Sequence, residues 1–267
     1  MSTYTGKVVV ITGASAGIGR GLALAIAAER PRLVLAARDR ERLEGTAVSC
    51  RALGAEAIVV PTDVAEEMAC HALIARAVEA FDAVDALVWN AGISMWAPFA
   101  ELTDFAVFER MMRVNYLGGV YLCAAALPHL RNVGGQIVGI ASVAGLTGVP
   151  TRTGYAASKH AQVGFLDSLR VELMGSGIDV TVVAPDFVRS ESRERAIGVD
   201  GRPLGLSPVQ EARVMSTEEC AQRILAAMRG RRRLVILSAR GRLGRWLRLI
   251  APGLIDRIAR RAIARGR

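Results

Sequence analysis

The sequence predicts a doubly wound α/β fold, a three-layer α/β/α sandwich built on a seven-stranded parallel sheet. Three observations point there. Short β-branched apolar runs recur along the 267 residues. Segments long enough for one helix separate them, as right-handed crossovers between parallel strands require. The first run ends in a glycine-rich turn that opens a helix, which places ligands at the carboxyl ends of the strands.

The elements follow in order. KVVVIT (7–12) reads as a buried strand and 17–29 as a helix. RLVLAA (32–37) is a second strand, followed by a charged helix near 40–53. AEAIVVP (55–61), a helix near 66–80 and DALVWN (85–90) continue the alternation. One long helix is expected over 104–130, then a fifth strand, GQIVGIAS (135–142), and a helix starting near Tyr155. IDVTVVAP (178–185) and RLVIL (233–237) supply the last two strands. No repeat or low-complexity linker interrupts residues 1–238, which read as a single catalytic-size domain with an extension over 239–267.

Charge is unevenly placed. The net charge is +9, yet residues 229–267 alone carry 13 Arg against one acid, Asp256, so the body is near neutral and the extension basic. In the extension, Leu243, Trp246, Leu247 and Ile250 fall at helical spacing. Leu254, Ile255, Ile258 and Ile263 do so after Pro252-Gly253. A basic amphipathic helix pair with a tryptophan reads as a membrane-surface contact; packing on the body or on a partner subunit, or docking of an acidic carrier protein, are the alternatives. Nucleic acid is not expected, because no binding fold supports it. Cys50, Cys70, Cys123 and Cys220 are far apart and lack metal-ligand spacing, so no metal is expected. With no signal-peptide pattern in MSTYTGKVVVITG, the expectation is a cytoplasmic protein, peripheral at most at a membrane surface.

TGASAGIG (12–19) puts Gly13, Gly17 and Gly19 between strand and helix, where a backbone can approach a diphosphate at a helix N-terminus. Basic charge is written as 32 Arg and only two Lys, and one of those two, Lys159, stands four residues after Tyr155. Residues i and i+4 share a helix face. A cation beside a phenol favours its ionised form, and lysine, unlike arginine, can also give up a proton.

Together with NAG (90–92), Asn115 and Ser142, these motifs resemble the short-chain dehydrogenase/reductase superfamily over nearly the whole chain up to residue 238. The resemblance implies a Rossmann-type oxidoreductase with Asn115, Ser142, Tyr155 and Lys159 as its catalytic tetrad. It also implies cofactor contacts from Gly13, Ser15, Gly17, Ile18 and Gly19, from Arg38, Asp63 and Val64, from Asn90, Ala91 and Gly92, from Tyr155 and Lys159, and from Pro185, Val188 and Ser190. Ser142 would orient a substrate carbonyl, and Asn115 would hold a water continuing the relay from Lys159. Asn115 could equally be a buried amide bonded to backbone, and Asp63 a helix cap.

After the second strand, Ala37 and Arg38 stand where NAD-preferring relatives carry an acid, which favours NADP; Asp39 could reach a ribose hydroxyl and keeps NAD open. After the sixth strand the family's Pro-Gly is replaced by Pro185-Asp186, and Ser190 replaces its threonine. Residues 186–216 take the place of the substrate lid, and Met95, Trp96 and Phe99 are candidates for an apolar pocket. The expected activity interconverts a carbonyl and a secondary alcohol on a small hydrophobic, lipid-, steroid- or acyl-like substrate. The alternatives are a 3-oxoacyl-thioester reductase and a non-catalytic, cofactor-sensing binding protein. Family habit implies a homodimer or homotetramer.

Overall fold

The computed structural model of the chain describes residues 3–189, 194–207 and 214–264, with side chains to residue 260. Seven strands form one sheet in the order β3-β2-β1-β4-β5-β6-β7. They are β1 (Val8–Thr12), β2 (Arg32–Ala37), β3 (Glu56–Pro61), β4 (Ala86–Trp89), β5 (Gln136–Ile140), β6 (Asp179–Ala184) and β7 (Leu234–Ile236). Every pairing is parallel. β1, β4 and β5 are buried at every position, which explains their unbroken apolar runs: a parallel sheet covered on both faces has no polar side.

Alternate strand residues sort into two cores. Val9, Ile11, Leu33 and Leu35 pack with α1 (Gly17–Ala27), α2 (Arg40–Ala52) and α7 (Thr217–Arg229). Val8, Val10 and Val34 pack with α3 (Glu67–Phe81), α5 (Gly118–Val133) and α6 (Thr153–Glu172). The strand order reverses between β1 and β4, and a crevice at such a point, outside the carboxyl ends, is where open α/β sheets take ligands.

The single helix expected over 104–130 is broken. α4 (Ala106–Met112) leads into a π-helical turn, Arg113–Leu117, before α5 begins. Close packing gives the reason. A Cβ added at Gly119 would come within 1.7 Å of the Trp89 ring, and one at Gly118 within 2.5 Å of the Val64 carbonyl oxygen. α5 therefore lies hard against β4 and the β3–α3 loop, and the extra residue of the π turn takes up the offset.

The extension is helical, as its spacing predicts: α8 (Ala239–Ile250) and α9 (Pro252–Ala264). α8 is anchored to the body. Gly241 is buried, and an added Cβ there would meet Val143 at 2.7 Å and Ile236 at 2.9 Å. Arg248 donates to the Leu146 carbonyl at 2.6 Å and lies 3.0 Å from His160 Nε2. The apolar face points the other way: Leu243, Trp246, Leu249 and Ile250 are all at least 60% exposed. All four cysteines are free and buried.

Candidate active site

The glycine turn is fixed by two polar residues of the chain itself. Thr12, ending β1, donates its hydroxyl to the Val88 carbonyl at 3.1 Å and accepts from the backbone N–H groups of Asn90 and Ala91, each at 3.1 Å. The Asn90 amide donates to the carbonyls of Thr12 at 2.8 Å and Gly13 at 3.3 Å. Gly13 has φ +67°, and an added Cβ would meet this amide at 2.7 Å, so both the conformation and the closeness demand glycine. The turn at 12–19 and the turn at 90–92 thus form one bonded unit astride the switch point.

Behind it, α1 starts at Gly17 with no side-chain cap on its first N–H groups and no acid in its first turn. An uncapped helix start behind a glycine turn suits an anionic phosphate group. Ser15 and Ile18 lie on this turn, partly exposed. Further along the same rim, Val64 is buried, and Asp63 accepts from Ala65 N–H at 3.0 Å. That bond makes Asp63 a turn-former; the residue before α3 is Glu66.

At the end of β2, Arg38 is exposed and forms no ion pair or hydrogen bond among the described residues. Asp39 is committed elsewhere, capping α2 by accepting from Arg42 N–H at 3.0 Å.

The four tetrad candidates come from three elements. Ser142 follows β5 and caps the short turn Val143–Gly145, accepting from Ala144 N–H at 3.2 Å. Tyr155 and Lys159 lie one turn apart on α6. The Lys159 ammonium is buried and donates to the Ile140 carbonyl and to Gln162 Oε1, both at 2.9 Å. Burial, and secondly the charge of Arg152, push it down to about 7. Asn115 sits in the π turn with its amide fully engaged. Its Oδ1 accepts from Ile93 N–H at 2.7 Å, and its Nδ2 donates to the Ile93 carbonyl and to Ser158 Oγ, both at 2.9 Å. An added Cβ on Gly92 would lie 3.1 Å from Asn115 Oδ1 and 3.7 Å from Lys159 Nζ, so these groups converge on the 90–92 turn.

Asp186 is not a stray acid at the site. Its carboxylate accepts from Ser238 at 2.9 Å and receives a two-pronged grip from Arg240, with Nη2 to Oδ1 at 2.9 Å and Nε to Oδ2 at 3.1 Å. Pro185 and Val188 are buried beside it, while Ser190 lies outside the described residues. The three pocket candidates part company. Met95 is fully buried in a core with Leu102, Val107 and Met111, against which Tyr155 packs; Phe99 is exposed and packs on Phe105 and Phe108; Trp96 is half-buried beside Phe187 and the Arg152 guanidinium.

Arg152 and Gln162 are absent from the motif reading, although both stand three residues from a motif residue on the same helix face. That spacing is the signal that finds them. The Arg152 guanidinium carbon lies 4.2 Å from the Tyr155 ring centroid, 5.6 Å from that of Trp96 and 5.9 Å from that of Phe187.

Fold and site together define a dinucleotide-dependent α/β oxidoreductase. The family model for short chain dehydrogenase matches residues 7–197, and the chain belongs to that family. An 11-beta-hydroxysteroid dehydrogenase of Pinus massoniana is 39% identical over 235 residues, covering 85% of this chain and 66% of the pine protein. The dehydrogenase/reductase SDR family member 7B of Bos taurus is 36% identical, covering 94% of this chain and 79% of the bovine one. This chain therefore spans about two thirds to four fifths of these relatives. Among solved structures, a short chain dehydrogenase/reductase from Burkholderia phymatum in complex with NAD superposes with TM-score 0.83 at 30% identity, covering 95% of this chain and 96% of that one. An alcohol dehydrogenase from Thermococcus sibiricus complexed with 5-hydroxy-NADP gives TM-score 0.76 at 26% identity, covering 86% and 94%.

Proposed function

We propose that this protein is an NADP-preferring oxidoreductase that interconverts a carbonyl and a secondary alcohol on a hydrophobic, steroid- or lipid-like substrate. The observation that carries the reading is the meeting of Asn115 and Lys159 at the 90–92 turn, with Tyr155 one turn from Lys159 on α6 and Ser142 opening the short turn whose Gly145 packs on Lys159. A bound nicotinamide supplies or accepts the hydride.

The chain's own residues manage the oxygen and its proton. Tyr155 donates its phenolic proton to the oxygen as the carbonyl is reduced and takes it back in oxidation. Ser142 hydrogen-bonds the same oxygen and orients it. Lys159 supplies charge next to the tyrosine, and its depressed proton affinity suits it to hand protons on near neutral pH. Asn115 serves as a brace: its amide holds the Ile93 backbone and Ser158, and so fixes the wall behind Lys159.

The preference for NADP rests on Arg38. A guanidinium with no partner among the described residues stands at the end of β2, and the acid beside it is occupied by a cap. The substrate class rests on Trp96 and Phe187 beside Tyr155, and on relatives named as hydroxysteroid dehydrogenases. A peripheral contact with an anionic lipid surface is proposed for the outward face of α8 and α9, where Leu243, Trp246 and Ile250 stand exposed among arginines. No helix among the described residues is long and apolar enough to cross a membrane.

The test is turnover of keto-steroids and aliphatic ketones with NADPH by the wild type and by Tyr155→Phe. Loss of the tyrosine proton should lower kcat by about 10²- to 10⁴-fold, with cofactor binding retained. Full activity in Tyr155→Phe would refute the assignment.

A further inference from the structure

Arg152 begins α6 as its N-cap residue, one turn before the tetrad lysine's partner, and its guanidinium lies among three rings: Tyr155, Trp96 and Phe187. Its Nη2 donates to Ser94 Oγ at 2.6 Å, while its Nε is buried with no acceptor. It forms no ion pair among the described residues. Against its burial, Tyr155 and then Asp186 favour its charge, and the Asp186 carboxylate is already gripped by Arg240 and Ser238. Among the described residues Arg152 and Arg240 therefore share the one carboxylate of Asp186, and positive charge is in excess on this wall beside Tyr155.

A half-buried cation without a counter-ion is expensive to keep. Burial pushes the Arg152 guanidinium below its usual proton affinity, and Arg152 in turn lowers that of Lys159. A ligand bearing negative charge would relieve both at once. It would also give the orphaned Nε its acceptor, in the planar pairing that guanidinium and carboxylate favour. The aromatic faces hold the cation in the meantime. Trp96 and Phe187, which flank the guanidinium, are both only half-buried.

We propose that Arg152 is the recognition site for a carboxylate on the substrate, which is accordingly an apolar ketone or alcohol carrying an acidic group. The assignment rests on the reading of Tyr155 as the acid–base group, because Arg152 lies against the face of that ring. The Arg152 guanidinium lies 4.2 Å from the centre of the Tyr155 ring, so an anion it holds is brought to the side of the acid–base group. The positive wall also draws such substrates in, so uptake of the acid weakens as salt rises.

The experiment compares a keto-steroid carboxylate with its own methyl ester. Binding to the full chain is read by quenching of Trp96 fluorescence, with Trp96→Phe as the blank. The wild type is expected to bind the acid at least about tenfold more tightly than the ester, about 1.4 kcal/mol. Arg152→Gln should erase that difference, and Arg152→Lys should keep only part of it, because an ammonium retains the charge but not the planar pairing. Equal binding of acid and ester by the wild type overturns the proposal, as does a preference that survives in Arg152→Gln. Should the glutamine variant not fold, the wild-type comparison decides by itself. Turnover of the same two compounds is read separately. Preferential binding of the acid without any turnover would support the Arg152 site and count against the Tyr155 reading instead.

Discussion

Asp186 and Arg240, 54 residues apart, form a two-pronged ion pair that fastens α8 to the loop following β6. The acid is 16% exposed and the arginine 73%, so solvent screens much of the attraction. Ser238, which caps α8, binds the same carboxylate. Asp186→Gly, which restores the family's usual glycine, should therefore cost about 1 kcal/mol and lower the melting temperature by about 2–4 °C. Limited proteolysis should find the segment after residue 238 cut sooner than in the wild type. An unchanged digestion pattern would mean that the Arg248 and Gly241 contacts suffice to hold α8.

Arg38, just past the end of β2, is exposed and has no partner among the described residues. Titration of NADPH and NADH into wild type and Arg38→Ala should give NADPH at least about a tenfold advantage, about 1.4 kcal/mol, that disappears in the variant. Equal binding of both by the wild type would make Arg38 a solvated charge and favour NAD.

Lys159 sets a pH dependence on stability. The unfolded lysine titrates near 10.5 and the buried one near 7, so between these values the unfolded chain binds more protons. Stability should consequently rise with pH across that window, by on the order of a few kcal/mol. Below about pH 7 both states are protonated, and the full cost of burying the charge is present. Lys159→Met should flatten the rise while removing turnover, as urea melts at a series of pH values would show. A parallel pH profile for the two proteins would refute it.

Asn115→Ala should lower stability as well as activity. It leaves the backbone N–H and carbonyl of Ile93 without the partners they now have. Each abandoned buried group costs about 1–3 kcal/mol. Asn115→Asp keeps the acceptor for Ile93 N–H and should recover part of the stability in thermal melts.

The outward face of α8 and α9 makes a prediction with no enzymology in it. Wild-type protein should sediment with vesicles containing phosphatidylserine and release as salt is raised, since part of the attraction is electrostatic. Trp246→Glu should remain in the supernatant. Equal sedimentation of both proteins would place the contact elsewhere.

Much of this site can be read along the chain because its chemistry is local. TGASAGIG, NAG and the pair Tyr155 and Lys159 each lie within one turn or one helix, and periodicity assigns that element directly. The strands are legible for the same reason, since a doubly covered parallel sheet needs unbroken apolar runs. The break in the helix expected over 104–130 is not legible. It depends on how closely Gly118 and Gly119 approach Val64 and Trp89, which belong to other elements.

By itself the sequence determined the parallel α/β architecture, the glycine turn and the shared face of Tyr155 and Lys159, because spacing along a helix or strand dictates which side chains lie together. Asn115 and Ser142 joined them through the family resemblance. Only the tertiary structure decided who their partners are. Asp39 is a helix cap, Asp186 belongs to Arg240, Asn115 braces Ile93, and Arg152 is caught between Tyr155 and two other rings. A polar side chain takes whichever donor or acceptor the packed backbones bring within about 3 Å. That choice is made between elements far apart in the chain, where no local pattern records it.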